Sequence, residues 1–367
     1  MCGKEEIKNL IELAKMLEKD EPKESARNYF LAAEALVTQA SEHPLEQQKY
    51  LELAQKSYQK GKELKDKKDT KKRFNSLQSK VTFDNIGGLE DLKAEIRLKI
   101  IEPFKHPDLF RYYGKQAGGG ILIYGPPGCG KSLIAKATAN EAGANFLHIK
   151  SSDIKSKFVG ETEKNITELF EKAREQQPTI IFFDEFEALG SDRTDAPAHD
   201  KSAVAQLLTE MDSVDSKDQQ ILLLAATNEP WSVDPALRRE GRFGKTLFIP
   251  PPDLSSRKEI LQIHLDHRPT EELDYENLAK LTDGFSGADL KAVCEMATDI
   301  PLKESLETGK KRLITMIDLE VAVKNTRSVL RTWFAKALEQ VKKKQMEEEF
   351  PELISQVKKS ENLAVAN

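Results

Sequence analysis

GPPGCGKS, at residues 125–132, follows the apolar run ILIY and opens directly into LIAKATANE. A buried strand, a glycine-rich loop and a helix in that order form the Walker A pattern. Glycines in such a loop let successive backbone N–H groups turn inward around phosphate oxygens, and the helix N-terminus adds its partial positive charge. Pro127, Gly128, Cys129, Gly130, Lys131, Ser132 and Leu133 therefore line the predicted phosphate site. Lys131 has the reach for the β- and γ-phosphates, and the Ser132 hydroxyl suits Mg²⁺. The Cys129 side chain is read as packing, with only its backbone serving the loop. A chance glycine-rich turn before a helix is the bland alternative, and the strand and helix that flank the loop argue against it.

Downstream, IIFFDEFEAL (180–189) closes an apolar run with two carboxylates. A strand end beside the phosphate loop is where a second metal ligand has to come from. Asp184 fits that part, and Glu185 can polarise an attacking water. The run ILLLAAT (221–227) ends at Asn228, whose amide can both donate and accept and so can bridge that water and the γ-phosphate. Taken singly, these are a solvated acidic strand end and a turn asparagine; the loop upstream is what gives them a chemical reading. With NFLHI (145–149) and KTLFIP (245–250) the chain has five short apolar runs, mostly separated by helical patterns. That alternation predicts an α/β fold, a P-loop NTPase parallel sheet with helices on both faces.

The flanks have a different texture. From Ile7 to Leu64 apolar residues recur at three- and four-residue steps, with breaks at Asp20-Glu21-Pro22 and between Ser41 and Pro44. Residues 1–64 are therefore expected to form a three-helix bundle. KDKKDTKKRFNSLQSK (65–80) is basic and nearly free of apolar residues, a solvated linker in preference to a nucleic-acid or membrane contact. The large nucleotide-binding domain is placed at 81–252, a small helical lid at 253–327 and a charged helical tail at 328–367. The chain has 367 residues, 39% of them hydrophobic and 32% charged, with a formal net charge of -5, so no general attraction to nucleic acid or anionic membrane is expected. Cys2, Cys129 and Cys294 are too widely spaced for a disulfide framework or a zinc site. MCGKEEIKNL lacks the apolar core of a signal peptide and no run approaches transmembrane length, which makes a cytoplasmic location the expectation.

VTFDNIGGLEDLKAEI (81–96), GPPGCGKS, KFVGETEKNI (157–166), FFDEFEAL, AATNEPWSVDPALRREGRF (225–243) and GFSGADLKAVCEMA (284–297) follow one another in a recognisable order. The order and spacing resemble the AAA+ ATPases, in the branch that holds valosin-containing protein, the proteasomal ATPases, katanin, spastin and the ESCRT-disassembling vacuolar sorting ATPase. The resemblance covers about residues 81–326. It implies that Asn85, Ile86 and Gly87 line the adenine pocket, Asn85 standing where many members have Asp. It implies that His264 and the pair Gly287-Ala288 close over the nucleotide from the lid; without it, His264 is an ordinary helix-surface histidine. Arg239 and Arg242 match the arginine fingers that reach a neighbour's nucleotide, which implies a ring, usually a homohexamer; intramolecular ion pairs are the alternative for both. Phe158 and Val159 match the first pore loop, where an aromatic grips an extended polypeptide, with a buried Phe as the alternative. The N-terminal bundle resembles an MIT domain, a pattern it shares with other amphipathic three-helix bundles and with tetratricopeptide hairpins. The lid lacks the β-rich insertion of the vacuolar sorting ATPase, so the ATPase core looks closer to the valosin-containing and proteasomal type.

The expected function is ATP hydrolysis by a ring, with Mg²⁺, coupled to pulling, unfolding or disassembling protein clients through a central pore. ESCRT-type filament subunits are candidate clients through the bundle, with recruitment to membranes through such partners. A nucleotide-gated scaffold that binds and releases partners without threading is the alternative; Glu185, Arg239 and Arg242 speak against it. A DNA-remodelling protein has only the basic run 65–73 in its favour.

Overall fold

The computed structural model describes residues 4–18, 22–73, 81–114, 118–156, 160–191, 198–214 and 219–365. The chain divides into two compact units between residues 75 and 76.

The first unit is three helices, α1 (Lys4–Leu17), α2 (Pro22–Glu42) and α3 (Gln47–Arg73). Pro22 opens α2, and Pro44 opens the single 3₁₀ turn before α3; at both places proline's missing donor costs nothing. The interior is built from small and slender residues, Ala14, Ala26, Ala33, Leu36, Ala40 and Ala54, closed by Ile7 and Tyr29. Small residues let the helices approach: a Cβ on Gly61 would lie 3.0 Å from the Phe30 ring and 3.2 Å from the Ala26 carbonyl oxygen. Tyr29 donates its hydroxyl to Glu18 at 2.7 Å, and Ser25 donates to the Ala14 carbonyl at 2.6 Å. The basic run that reads as a linker from residue 65 is helical as far as Arg73.

The second unit begins with α4 (Glu90–Ile96), α5 (Glu102–Lys105) and α6 (Pro107–Tyr112), α4 and α5 being joined by a π-helical turn at Arg97–Ile101. Then strands and helices alternate: β1 (Gly119–Tyr124), α7 (Lys131–Ala142), β2 (Asn145–Lys150), α8 (Ser151–Ile154), α9 (Glu161–Glu175), β3 (Thr179–Asp184), α10 (Ala198–Val214), β4 (Ile221–Thr227) and β5 (Lys245–Phe248). All four pairings are parallel, and the order across the sheet is β2-β3-β4-β1-β5. Every residue of β4 is buried, as expected for a central strand covered on both faces. β1 lies next to β4, so the loops leaving their carboxyl ends emerge side by side, where open α/β sheets bind their ligands.

The lid follows: α11 (Leu254–Leu265), α12 (Tyr275–Leu281), α13 (Gly287–Thr308) and α14 (Met316–Asn325), around Leu261, Leu278, Leu290, Val293, Ala297 and Leu319. Its boundaries are set by side-chain caps, Asp253 on Ser256 N–H, Asp274 on Asn277 N–H, and capping boxes at Ser286/Asp289 and Thr315/Asp318. The tail supplies α15 (Leu330–Lys343) and α16 (Pro351–Val365). These do not hang off the lid. Leu330, Trp333, Phe334, Val341, Phe350 and Leu353 join the same core as Ile123, Tyr124 and Leu224 of the sheet. Tyr124 packs its ring 5.2 Å from Phe350 and donates its hydroxyl to Glu352 at 3.0 Å. Among the described residues no helix is long and apolar enough to cross a membrane.

Candidate active site

The loop after β1 is shaped by glycines that no other residue could replace. Gly125 has φ 152°, and a Cβ there would sit 2.3 Å from the Ile249 carbonyl oxygen. Gly128 has φ 75°, and a Cβ there would strike Ala288 and Ser286 of the lid at 2.8 Å. Lys131 begins α7 and turns its ammonium back under the loop. Its Nζ donates to the carbonyls of Gly125 at 2.9 Å and Pro126 at 2.7 Å, and to Asn228 Oδ1 at 2.7 Å. Burial pushes this ammonium down to about 8, the nearby carboxylates of Glu187 and Asp184 offsetting part of that. The Cys129 side chain is buried, its thiol pushed up to about 12 by that burial, which matches the packing role. Leu133 is on the exposed side of α7.

Ser132 donates its hydroxyl to Asp184 Oδ2 at 2.9 Å, across 52 residues of sequence. Burial alone would raise the Asp184 carboxyl, but hydrogen bonds from His148 and Ser132 outweigh it and hold the group below the usual carboxylate range. Glu185 follows with φ 52°, a left-handed backbone that is uncommon outside glycine. Its side chain is exposed, and its carboxylate has no hydrogen-bond partner among the described residues. Lys131, Ser132, Asp184, Glu185 and Asn228 thus meet at one edge of the sheet. Ser132 and Asp184 form a hard all-oxygen donor pair with a carboxylate held ionised, which fits Mg²⁺ shared with phosphates.

The lid closes one wall. Ala288 N–H donates to the Gly128 carbonyl at 3.0 Å, so the start of α13 rests on the phosphate loop. Ile86 and Gly87 lie against α11: a Cβ on Gly87 would come within 3.0 Å of Glu259 and 3.1 Å of Ile260. Gly88 N–H donates to Glu259 at 2.7 Å, and Lys93 holds the Ile86 carbonyl at 2.7 Å. The Asn85 side chain is spent locally, accepting from Thr82 N–H at 2.9 Å, and its own N–H donates to the Thr82 carbonyl at 3.1 Å. His264 is half-buried in α11; burial, then the charges of Lys291 and Arg268, push its imidazole below the ordinary value. No hydrogen bond ties it to the phosphate loop among the described residues.

The two arginines part company. Arg242 makes a bidentate pair with Asp212, at 2.9 and 3.0 Å, and donates to the Ala236 carbonyl at 2.8 Å. Arg239 is exposed, with no side-chain hydrogen bond or ion pair among the described residues. The intramolecular alternative therefore describes Arg242 and not Arg239. Phe158 and Val159 lie outside the described residues; Gly160, with φ 81°, caps α9 just after them.

Sequence reasoning missed two groups. His148 reaches Asp184 Oδ2 at 3.3 Å because β2 and β3 are neighbours in register, which no local pattern announces. Trp333, in the tail, donates its indole N–H to the Asn228 carbonyl at 3.0 Å. An isolated tryptophan in a charged tail was the only available signal.

With this geometry in view, the sequence model of the ATPase family associated with various cellular activities (AAA) matches residues 121–251, and that of the AAA+ lid domain matches 272–321. The chain carries an AAA ATPase domain and its AAA+ lid. A cell division cycle protein 48 homolog of Archaeoglobus fulgidus is 41% identical over 263 residues, 68% of this chain and 36% of the relative. The proteasome-activating nucleotidase of Methanopyrus kandleri is 44% identical over 248 residues, 66% of this chain and 56% of the relative. Protein SAV of Sulfolobus acidocaldarius is 44% identical over 236 residues, covering 64% and 30%. The chain thus spans between 30% and 56% of the length of these relatives.

Proposed function

We propose that this chain hydrolyses ATP as one subunit of a ring, most simply a homohexamer, and uses the cycle to pull, unfold or disassemble protein clients through a central pore. The observation that carries the reading is the meeting of Lys131, Ser132, Asp184 and Asn228 within hydrogen-bond distance, from three separate strand ends, under the lid residues Gly287 and Ala288. In this reading Lys131 exchanges its carbonyl partners for phosphate oxygens, and the loop N–H groups take the rest of the phosphate chain. Ile86, Gly87 and His264 flank the base. Ser132 and Asp184 hold Mg²⁺, which supplies charge to screen the β- and γ-phosphates. Glu185, exposed and without a side-chain hydrogen bond among the described residues, orients and deprotonates the attacking water, while Asn228 fixes water and γ-phosphate relative to each other. Arg239, exposed, supplies its guanidinium to the next subunit's phosphoryl group, where a permanent planar cation suits the transition state. Arg242, held by Asp212, braces that turn.

Phe158 and Val159 are assigned to the client-gripping loop. The N-terminal helices are assigned an MIT-like adaptor role for helical client segments, ESCRT-type filament subunits among them, in the cytoplasm or at membranes reached through those partners. The name of the Methanopyrus relative, proteasome-activating nucleotidase, supports a protein-directed motor over a scaffold. The test is ATPase rate against protein concentration, for wild type and Glu185→Gln, with particle size recorded. A per-subunit rate that climbs with concentration, and stable ATP-bound rings without turnover in the variant, are expected. A concentration-independent rate from monomers, or nucleotide binding without turnover, would hand the reading to the scaffold.

A further inference from the structure

The lid match ends at residue 321, yet the chain beyond it is built against the active site. Trp333 on α15 donates to the Asn228 carbonyl at 3.0 Å. One turn later Lys336 pairs with Glu229, and Lys344, just past the helix, donates to the Trp231 carbonyl at 2.9 Å. α15 and the residue that follows it therefore hold three of the four residues from 228 to 231. The rings of Trp333 and Trp231 lie 6.0 Å apart between centroids, with Phe334 edge-on to Trp333 at 5.2 Å. Asn228 is consequently pinned twice, by its carbonyl to Trp333 and by its side chain to Lys131 at 2.7 Å. Fixing the carbonyl fixes the backbone from which the amide side chain projects. The same segment is tied to the lid: Ser328 donates to Asp289 at 2.9 Å, and Asp289 completes the capping box of α13, whose first residues rest on Gly128.

We propose that Trp333, backed by Lys336, is a positioning residue that orients Asn228 for hydrolysis, so that α15 is a working part of the ATPase site. The proposal rests on the ATPase reading above. Trp333 touches neither nucleotide nor water in this account; it acts through Asn228. Hydrogen bonds that orient metal ligands typically cost about 10–100-fold in activity when lost, and an effect at the lower end of that range is expected for a group that orients Asn228.

The test uses the full chain. Trp333→Phe keeps an aromatic ring against Trp231 and Phe334 and removes the N–H donor. The expected result is a kcat lowered about tenfold, with the KM for ATP and the affinity for a fluorescent ADP analogue within about twofold of wild type. Hydrogen exchange of the amides from 227 to 232, read without turnover, should quicken while that of 125–133 stays unchanged. Lys336→Met should show the same split more weakly. Val341→Ala, fully buried in the same helix, is the packing control: it should lower Tm at least as far while leaving kcat near wild type. A wild-type kcat in Trp333→Phe, or a kcat that falls only in step with Val341→Ala at equal loss of Tm, overturns the proposal. If wild type itself hydrolyses no ATP, the ATPase reading is what fails, and the exchange data still decide whether Trp333 holds the loop.

Discussion

The phosphate loop and the arginine turn both present positive charge, and they satisfy it in opposite ways. Lys131 has three oxygens of its own chain within 2.9 Å and is almost wholly buried. Arg239 is exposed and has no acceptor among the described residues, although Arg242, three positions on, is locked to Asp212. A buried ammonium must be partnered at all times, because an unpaired charge out of water is costly. A solvated guanidinium carries no such demand and is free to meet an acceptor from outside. In the proposed reading the contrast separates two tasks: the buried Lys131 serves the nucleotide of its own chain, and the exposed Arg239 is available to a neighbour's.

The largest expected effect breaks the open half of that contrast. Arg239→Ala should lower kcat about 10³-fold, in the range of arginine fingers, with ADP affinity unchanged. A matching loss of affinity would mean that Arg239 serves its own site. Lys131→Met attacks the closed half and should weaken ADP binding about 10²-fold, since it removes the charge-assisted bonds to phosphate; calorimetric titration reads it directly. Asp212→Asn sharpens the difference between the arginines. It removes the bidentate acceptor of Arg242 and should lower kcat only about threefold to tenfold, with a small loss of Tm, because half of the Asp212 carboxylate faces solvent. A loss as large as that of Arg239→Ala would make Arg242 an equal partner in the chemistry.

The smallest effect sets a baseline from a charge pair far from phosphate. Asp318 in the lid is buried and accepts from Arg312 at 2.7 and 3.0 Å. The Arg312 guanidinium holds its carboxyl below the usual range, against the opposing effect of burial. A folded-state value below the unfolded one means that the pair stabilises above about pH 4 and that this contribution fades as pH falls through the lower folded value. Asp318→Asn should therefore cost a few degrees of Tm at pH 7, on the order of ~4 °C, with the gap to wild type closing in acid. Nucleotide affinity should be unmoved.

How much of this was legible in the sequence depended on whether the signal was local. GPPGCGKS, the strand ends at Asp184 and Asn228, and the breaks at Pro22 and Pro44 each carry their physics within a few residues, and all have visible counterparts in the fold. The strand runs could be read, but not their order: periodicity gives burial, while the placing of β4 between β3 and β1 is a property of the crossovers. His148 escaped for that reason, since it meets Asp184 only because β2 borders β3. The tail escaped for another. The apolar stripe of α15 is plain enough in LRTWFAKALEQV, but an amphipathic stripe says that a helix buries one face and not against what. Arg239 and Arg242 read alike as residue types, and only the position of Asp212 on α10 distinguishes them.

The embrace of Tyr124 by Phe350 and Glu352 also has a consequence for how the protein is made. Tyr124 leaves the ribosome 228 residues ahead of Glu352. Until then the core shared by Ile123, Tyr124 and Leu224 lacks the side chains that α15 and α16 contribute to it. The core of the ATPase domain is therefore completed only after synthesis has passed the lid, and chains ending near residue 327 would leave part of it uncovered.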